Sequence, residues 1–493
     1  MKYDLIIKNG TVVFPYQGEI NCEIGVKQGK IATISDSIDS NLGEQVLDAR
    51  GKYVFPAAID SHYHVGIYRP HSEDAESESR TALVGGVGTI ISYFRTGHHY
   101  LNKTGPYREI FPEVLALSNG HFYTDYCYHI APMTTPQLDE VEWLVEEAGV
   151  TSFKFYMFYK GLTLAADSTK GSEYTMAENY DLGHLYELMT RVAKMAEKYR
   201  GKTRISLSLH CENPELIRVF IERVKKQGLT GLKAYSEARP PLTEKLSVHE
   251  AAILADATGC PINLLHLSSR EALQAGIDVR RAYPNHDIKL ETTLHHLALD
   301  YEELEKSGIG MRAKVNPPIR TREHSEFLWE GIIKGHVDTV VSDHACCGEE
   351  HKKKGVWDSL PGFGGSSILY PIMLSEGAHK RNIPLSRIAE LVSANPARIF
   401  GLYPKKGCIA IGSDADFTVI DMNIEKPVRA EELLSAQDHT PFEGFIAKGW
   451  STQTIVRGKI MFDNGKVTEE KCGEFIKRPV FLHDQIRAEK ASE

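Results

Sequence analysis

The feature that constrains this chain most is an alternation. Short β-branched or aromatic runs at residues 52–59, 89–94, 123–130, 152–156, 204–209, 261–265, 288–293 and 337–342 are separated by stretches of helical periodicity, such as 182–199, 214–227, 247–258 and 323–333. Eight strand-like runs interleaved with helices predict an α/β fold, a parallel (β/α)8 barrel of the TIM type. A doubly wound sheet also alternates, but no G-x-G-x-x-G turn follows the first run, so nothing supports a dinucleotide site. The two ends have another texture. Residues 3–7 lead into Asn9-Gly10, a hairpin signal, and further short strands follow at 23–26 and 30–34. The same pattern returns at 407–411, 417–421 and 454–462, with Asp463-Asn464-Gly465 as a turn. Residues 1–53 and 405–478 are therefore expected to form one smaller β-sandwich domain around a 54–404 barrel, with 479–493 as a charged tail. The polar stretch 163–179 reads as a long loop after the fourth strand, of a length that usually carries function.

Composition removes several function classes. The chain has 493 residues, 42% hydrophobic and 25% charged, which is a balance that builds a large buried core. Its net charge of −9 argues against nucleic acid, because neutralising phosphates needs clustered Lys and Arg. The longest basic run, Lys352-Lys353-Lys354, reads as a solvated loop. An acid at Asp4 interrupts any leader-like start, and no run approaches the roughly 18 apolar residues of a membrane span. A soluble, cytoplasmic protein without membrane partners is expected. Eight scattered cysteines without repeated C-x-x-C spacing suit a reducing compartment.

Polar residues recur just after the apolar runs. The first run leads to Asp60-Ser61-His62-Tyr63-His64, whose two histidines share one face because strand side chains alternate. The fifth run ends in His210, the sixth in His266 and the eighth in Asp343-His344. Each alone reads as a rim residue with a satisfied hydrogen bond. Together, four histidines and Asp343 at four strand ends converge on the mouth where barrels of this type carry active sites. Imidazole and carboxylate ligands suit zinc and its first-row neighbours. Lys154 is the odd member, inside the run Ser152-Phe153-Lys154-Phe155-Tyr156. A buried ammonium there is costly and repels cations. It is either snorkelling, paired with an acid, or converted by carbon dioxide to a carbamate whose two oxygens can bridge two metals.

The chain resembles the cyclic amidohydrolases, which include hydantoinases, dihydropyrimidinases, allantoinases and dihydroorotases. The likeness runs along nearly the whole chain. It rests on Asp60-Ser61-His62-Tyr63-His64, Ser152-Phe153-Lys154, His210-Cys211-Glu212-Asn213, Leu265-His266-Leu267-Ser268-Ser269, Glu291-Thr292-Thr293-Leu294-His295, Ser342-Asp343-His344 and Asn395-Pro396-Ala397-Arg398. The resemblance implies two divalent metals, zinc first and manganese as the alternative. His62, His64 and Asp343 would hold one metal and His210 and His266 the other, with Lys154 as a bridging N6-carboxylysine beside a bridging hydroxide. It implies Asp343 as the proton shuttle, Tyr159 as donor to the oxyanion, and Tyr159, Ser269 and Asn316 as substrate contacts. It also implies a homotetramer or homodimer acting on a small cyclic amide.

Within the group, dihydroorotases carry an arginine two residues after the second motif histidine, where this chain has Gly66 and only later Arg69. Val315-Asn316-Pro317-Pro318 looks dihydroorotase-like, whereas Pro441-Phe442-Glu443-Gly444-Phe445 looks hydantoinase-like. Hydantoinase or dihydropyrimidinase is the first expectation and allantoinase the second. Tyr68, Phe94 and Phe158 are candidates to shape the pocket. Some relatives of dihydropyrimidinases are non-catalytic scaffolds that have lost metal ligands, but this chain keeps all six candidate positions.

Overall fold

The protein is described by a computed structural model covering residues 2–97, 99–159 and 180–480. The loop expected at 163–179 and most of the expected tail lie outside the described residues. Eight strands form one sheet in sequence order: β1 (Ala58–Tyr63), β2 (Val87–Arg95), β3 (Asp125–Ala131), β4 (Ser152–Tyr156), β5 (Ser206–His210), β6 (Ile262–Leu264), β7 (Ile288–Thr293) and β8 (Thr339–Val341). All neighbours pair in parallel. The sheet closes where Tyr63 and His344 pair in parallel, with His64 N donating to His344 O at 2.8 Å. β2 to β5 are buried along their whole length. Helices on one side and the barrel interior on the other explain why these strands are near-continuous apolar runs.

The first run is two strands, not one. Tyr53–Pro56 pairs with the late strand Phe417–Pro427 and with Thr11–Phe14, and β1 begins only at Ala58. Pro56 has no backbone N–H to continue a ladder, and the chain changes sheets at Ala57. The seven-stranded sheet therefore joins both chain ends, running Lys466–Val467, Lys459–Asp463, Ile446–Val456, Phe417–Pro427, Tyr53–Pro56, Thr11–Phe14, Gly18–Asn21. A four-stranded sheet (Lys30–Ser35, Glu23–Lys27, Tyr3–Lys8, Gly43–Asp48) faces it. Leu5, Ile24 and Val26 of the small sheet share one apolar core with Val54, Phe417, Val419 and Ile455 of the large one. The every-second-residue spacing of Phe417, Val419 and of Ile24, Val26 is what turns those side chains to a common inner face.

Two charged devices hold the end domain to the barrel. Lys406 Nζ lies 2.7 Å from Asp125 at the start of β3, 3.0 Å from Asp414 and 2.5 Å from Asp416. Arg478, fully buried, donates to Ser152 Oγ at 3.1 Å, Phe400 O at 3.0 Å and Tyr128 O at 2.5 Å. The chain leading to this arginine runs against β3, with Ile476 N donating to Tyr126 O at 2.9 Å, so this last stretch of the end segment docks on the barrel. The basic run differs too: Lys353 and Lys354 are exposed, but Lys352 is buried and donates to Lys314 O at 3.2 Å and Leu360 O at 2.9 Å. Carbonyls in a folded loop hold its ammonium where solvent was expected. All eight cysteines are free. Among the described residues no helix is long and apolar enough to cross a membrane.

Candidate metal centre at the barrel mouth

Strand register decides which side chains meet. Tyr156 of β4 is level with His210 of β5, and Lys154 with Ser208, so Lys154 lies two residues below the rim on the same interior face as His210. His62 and His64 come up from β1, His266 follows β6 and Asp343 follows β8. His266 (φ 35°) and Asp343 (φ 52°) sit in left-handed backbone, a costly conformation for non-glycine residues that clusters at functional sites. His62, His64, Lys154, His210, His266, Asp343, Tyr159 and Asn316 all line one cavity of about 220 Å³.

The imidazoles are aimed by partners behind them. Asp343 Oδ1 is 3.1 Å from His62 Nε2 and 3.3 Å from His64 Nε2. The opposite nitrogens are pinned, His62 Nδ1 to Glu291 at 2.7 Å and His64 Nδ1 to the Tyr100 hydroxyl at 2.8 Å. Likewise His210 Nε2 meets Glu212 at 2.7 Å, and Glu212 is held by Arg239 Nε at 2.9 Å. His210 and His266 rings are 4.3 Å apart, and His62 and His266 rings 5.2 Å. Burial pushes the pKa of His62 and His266 far below that of a free imidazole and that of His210 down to about 4. These rings are therefore neutral and offer lone pairs. Burial would raise the Glu212 carboxyl, but Arg239 and then His210 outweigh it and bring it down to about 2. Lys154 is 1% exposed and makes no ion pair with a described carboxylate; its Nζ sits 4.2 Å from the Tyr93 ring centre. Burial drives its pKa down to about 7, only partly opposed by Asp343 and Glu291 at longer range.

This donor set fits metal cations. His62, His64 and Asp343 offer ligand atoms within 4.8 Å of one another, and His266 Nδ1 is buried without a hydrogen-bond partner. Partners that fix the second imidazole nitrogen are the usual support for a histidine ligand. Two other buried acid groups face protein cations instead: Asp125, Asp414 and Asp416 surround Lys406, and Asp74 lies 3.5 Å from Arg69.

Ser269 is not brought to the cavity. Its hydroxyl caps the helix Arg270–Ala282, accepting from Ala272 N at 3.2 Å, and faces Glu244 at 3.3 Å. The serine that ends a strand-to-helix turn serves the helix first. Tyr68 and Phe158 line the cavity, but Phe94 does not; it packs against Tyr100 and Tyr107. Successive strand residues face opposite ways, and it is Arg95, the next residue, that points in. Arg69 is turned to Ser77 and Asp74. Gly66 adopts φ 79°, and a Cβ there would meet His71 Nδ1 at 2.9 Å, so a side chain at that position is strained and must displace His71. Arg95, Tyr100, Glu212 and Glu291 went unassigned in the sequence; Arg95 ends its strand and Glu212 lies two residues beyond one, the signal already used, whereas Glu291 sits inside β7 and Tyr100 five residues past β2, where that signal does not reach.

A barrel whose C-terminal mouth gathers imidazoles and a carboxylate around one cavity is a candidate metal centre of the kind that suits a hydrolase. The chain belongs to the amidohydrolase family, whose model matches residues 53–461. It is similar to an allantoinase of Bacillus licheniformis, 31% identical over 486 residues covering 97% of this chain and 100% of that one. It is similar to a D-hydantoinase of Geobacillus stearothermophilus, 31% identical over 485 residues and 96% of each chain. The fold matches the solved L-hydantoinase (dihydropyrimidinase) of Arthrobacter aurescens with a TM-score of 0.84 at 27% identity, covering 97% of this chain and 100% of that one.

Proposed function

We propose that this protein hydrolyses a cyclic amide, opening its ring at the barrel mouth, with two divalent cations held by His62, His64, Lys154, His210, His266 and Asp343. Zinc is the first choice and manganese the alternative, from the ligand chemistry. A hydantoin or dihydropyrimidine is the first substrate class and allantoin the second, in line with the names of the relatives. A homotetramer or homodimer is carried over from the resemblance alone.

The observation that carries this reading is Lys154, 1% exposed and set among four imidazoles without an acid partner among the described residues. As an ammonium it would repel both cations. As the free amine its nitrogen can add to carbon dioxide, forming the N–C bond and releasing one proton to solvent, which leaves an anionic carbamate. The cations, when bound, lower the pKa of water and polarise the scissile carbonyl. Asp343, between the two β1 imidazoles, takes the proton of the attacking water and returns it to the leaving nitrogen. The Tyr159 hydroxyl donates to the carbonyl oxygen as charge builds on it. The side-chain oxygen of Asn316 is already occupied by the Tyr235 hydroxyl, which leaves its amide nitrogen and backbone for the ring.

The test is metal analysis of the purified full chain together with a hydrolysis panel of hydantoins, dihydrouracil, allantoin, dihydroorotate and cyclic imides at defined zinc or manganese. Ring opening that is abolished by chelation and restored by metal is expected. No turnover of any ring with metal bound, or full turnover after chelation, would refute the reading.

A further inference from the structure

Arg95 ends β2 and is 4% exposed, yet it lines the same cavity as His64, Lys154, Tyr159 and Asp343. Its described hydrogen bonds are one to Thr96 O at 3.1 Å and a long one to the Tyr159 hydroxyl at 3.5 Å. The rings of Tyr159 and Tyr100 flank it, with centroids 5.4 and 5.9 Å from the guanidinium carbon. Those contacts orient a cation without neutralising it. Two other buried arginines of the barrel are answered by carboxylates, Arg239 by Glu212 and Arg320 by Glu244. Arg95 makes no ion pair with any described carboxylate.

A guanidinium has five N–H donors and stays charged. Among the described residues two of these donors are engaged, and the residue lines the cavity. Removing a cation from water without a counter-ion is costly, and the missing anion is supplied most simply by a ligand. The planar fork matches the two oxygens of a carboxylate. A cavity of about 220 Å³ leaves room for a single ring with a short arm rather than a large anion.

We propose that Arg95 anchors a carboxylate carried by the ring, so that this cavity takes an anionic cyclic amide in preference to a neutral one. This rests on the ring-opening reading above. The grip comes from Arg95 at the end of the second strand, whereas the turn after His64 carries Gly66 in left-handed backbone. Tyr159, which touches both Arg95 and the cavity, couples the anchor to the reacting carbonyl. A neutral ring leaves the guanidinium desolvated and unmatched, and that penalty is the source of the selectivity.

The experiment uses the metal-loaded full chain and matched ring pairs: a hydantoin with an acetate arm against its primary amide, and dihydroorotate against its amide. Wild type is expected to favour the carboxylate member in kcat/KM by about tenfold to a hundredfold, mostly through KM. In Arg95→Met the anionic-over-neutral ratio collapses towards one, and Arg95→Lys recovers part of it. Calorimetric binding of the same pairs gives a readout independent of turnover. A wild-type enzyme without preference for the carboxylate, or an Arg95→Met variant that is folded by circular dichroism and keeps the wild-type ratio, would overturn the proposal. If no ring is opened but carboxylates still bind more tightly to wild type than to Arg95→Met, the anchor stands and the ring-opening reading falls.

Discussion

Two lysines, each only 1% exposed, lie at opposite ends of the electrostatic range. Lys406 is surrounded by Asp125, Asp414 and Asp416 at 2.5–3.0 Å, and Arg457 and Lys30 complete the cluster by pairing with Asp125 and Asp414. Burial would lower its pKa, but those three carboxylates hold it well above that of a free lysine. Lys154 is packed against the Tyr93 and Tyr156 rings, and burial brings it down to about 7. Burial alone therefore says little about what a lysine does. The charges within reach decide whether a buried amine is held as a cation that joins two domains or gives up its proton more readily than a free lysine.

Substitutions can sharpen or break this contrast. The largest effect is expected from Lys154→Ala, which should lose nearly all turnover and much of the bound metal, with partial rescue by small carboxylic acids that fill the gap; full turnover of that variant would remove the bridging role. Next, Lys406→Met should leave three buried carboxylates short of a counter-ion and cost about 3–5 kcal/mol of stability, read as a lowered urea midpoint, while the remaining folded molecules keep their turnover. If it instead lost activity at unchanged stability, the two lysines would not differ as described. Tyr159→Phe should lower kcat by about tenfold to a thousandfold, on the scale of one lost oxyanion donor.

The smallest effect is one of pH. Lys154 has a folded pKa of about 7, below that of a free lysine, so the neutral amine predominates above that pH and is lost as pH falls through it. Only the neutral amine adds carbon dioxide. At fixed dissolved carbon dioxide, reactivation of metal-stripped protein is expected to slow by about tenfold per pH unit below that value. A rate that is flat down to pH 5 would contradict it. Lys406 carries the opposite sign: its pairing is fully present below the pKa of a free lysine and is lost only above its own raised value.

Much of the architecture is legible in the sequence because it is written in local chemistry. Strand and helix periods, the Asn9-Gly10 turn and polar residues closing apolar runs give the barrel, the end sheets and the six converging side chains. The same local rules mislead where a position serves two structures. Residues 52–59 look like one strand, but the partners available to Tyr53–Pro56 and to Ala58–Tyr63 lie in different sheets. Ser269 follows the motif histidine closely, yet the first turn of a helix claims its hydroxyl.

The sequence by itself determined which residue types reach the barrel mouth, because strand alternation and strand order are properties of the local chain. Only the tertiary structure decided their electrical state and their targets: which imidazole nitrogen is pinned, which lysine finds carboxylates, and that Arg95 rather than Phe94 or Arg69 faces the cavity. Those outcomes depend on groups scores or hundreds of residues away along the chain, brought within a few ångströms by closure of the barrel, where low dielectric makes each neighbour count.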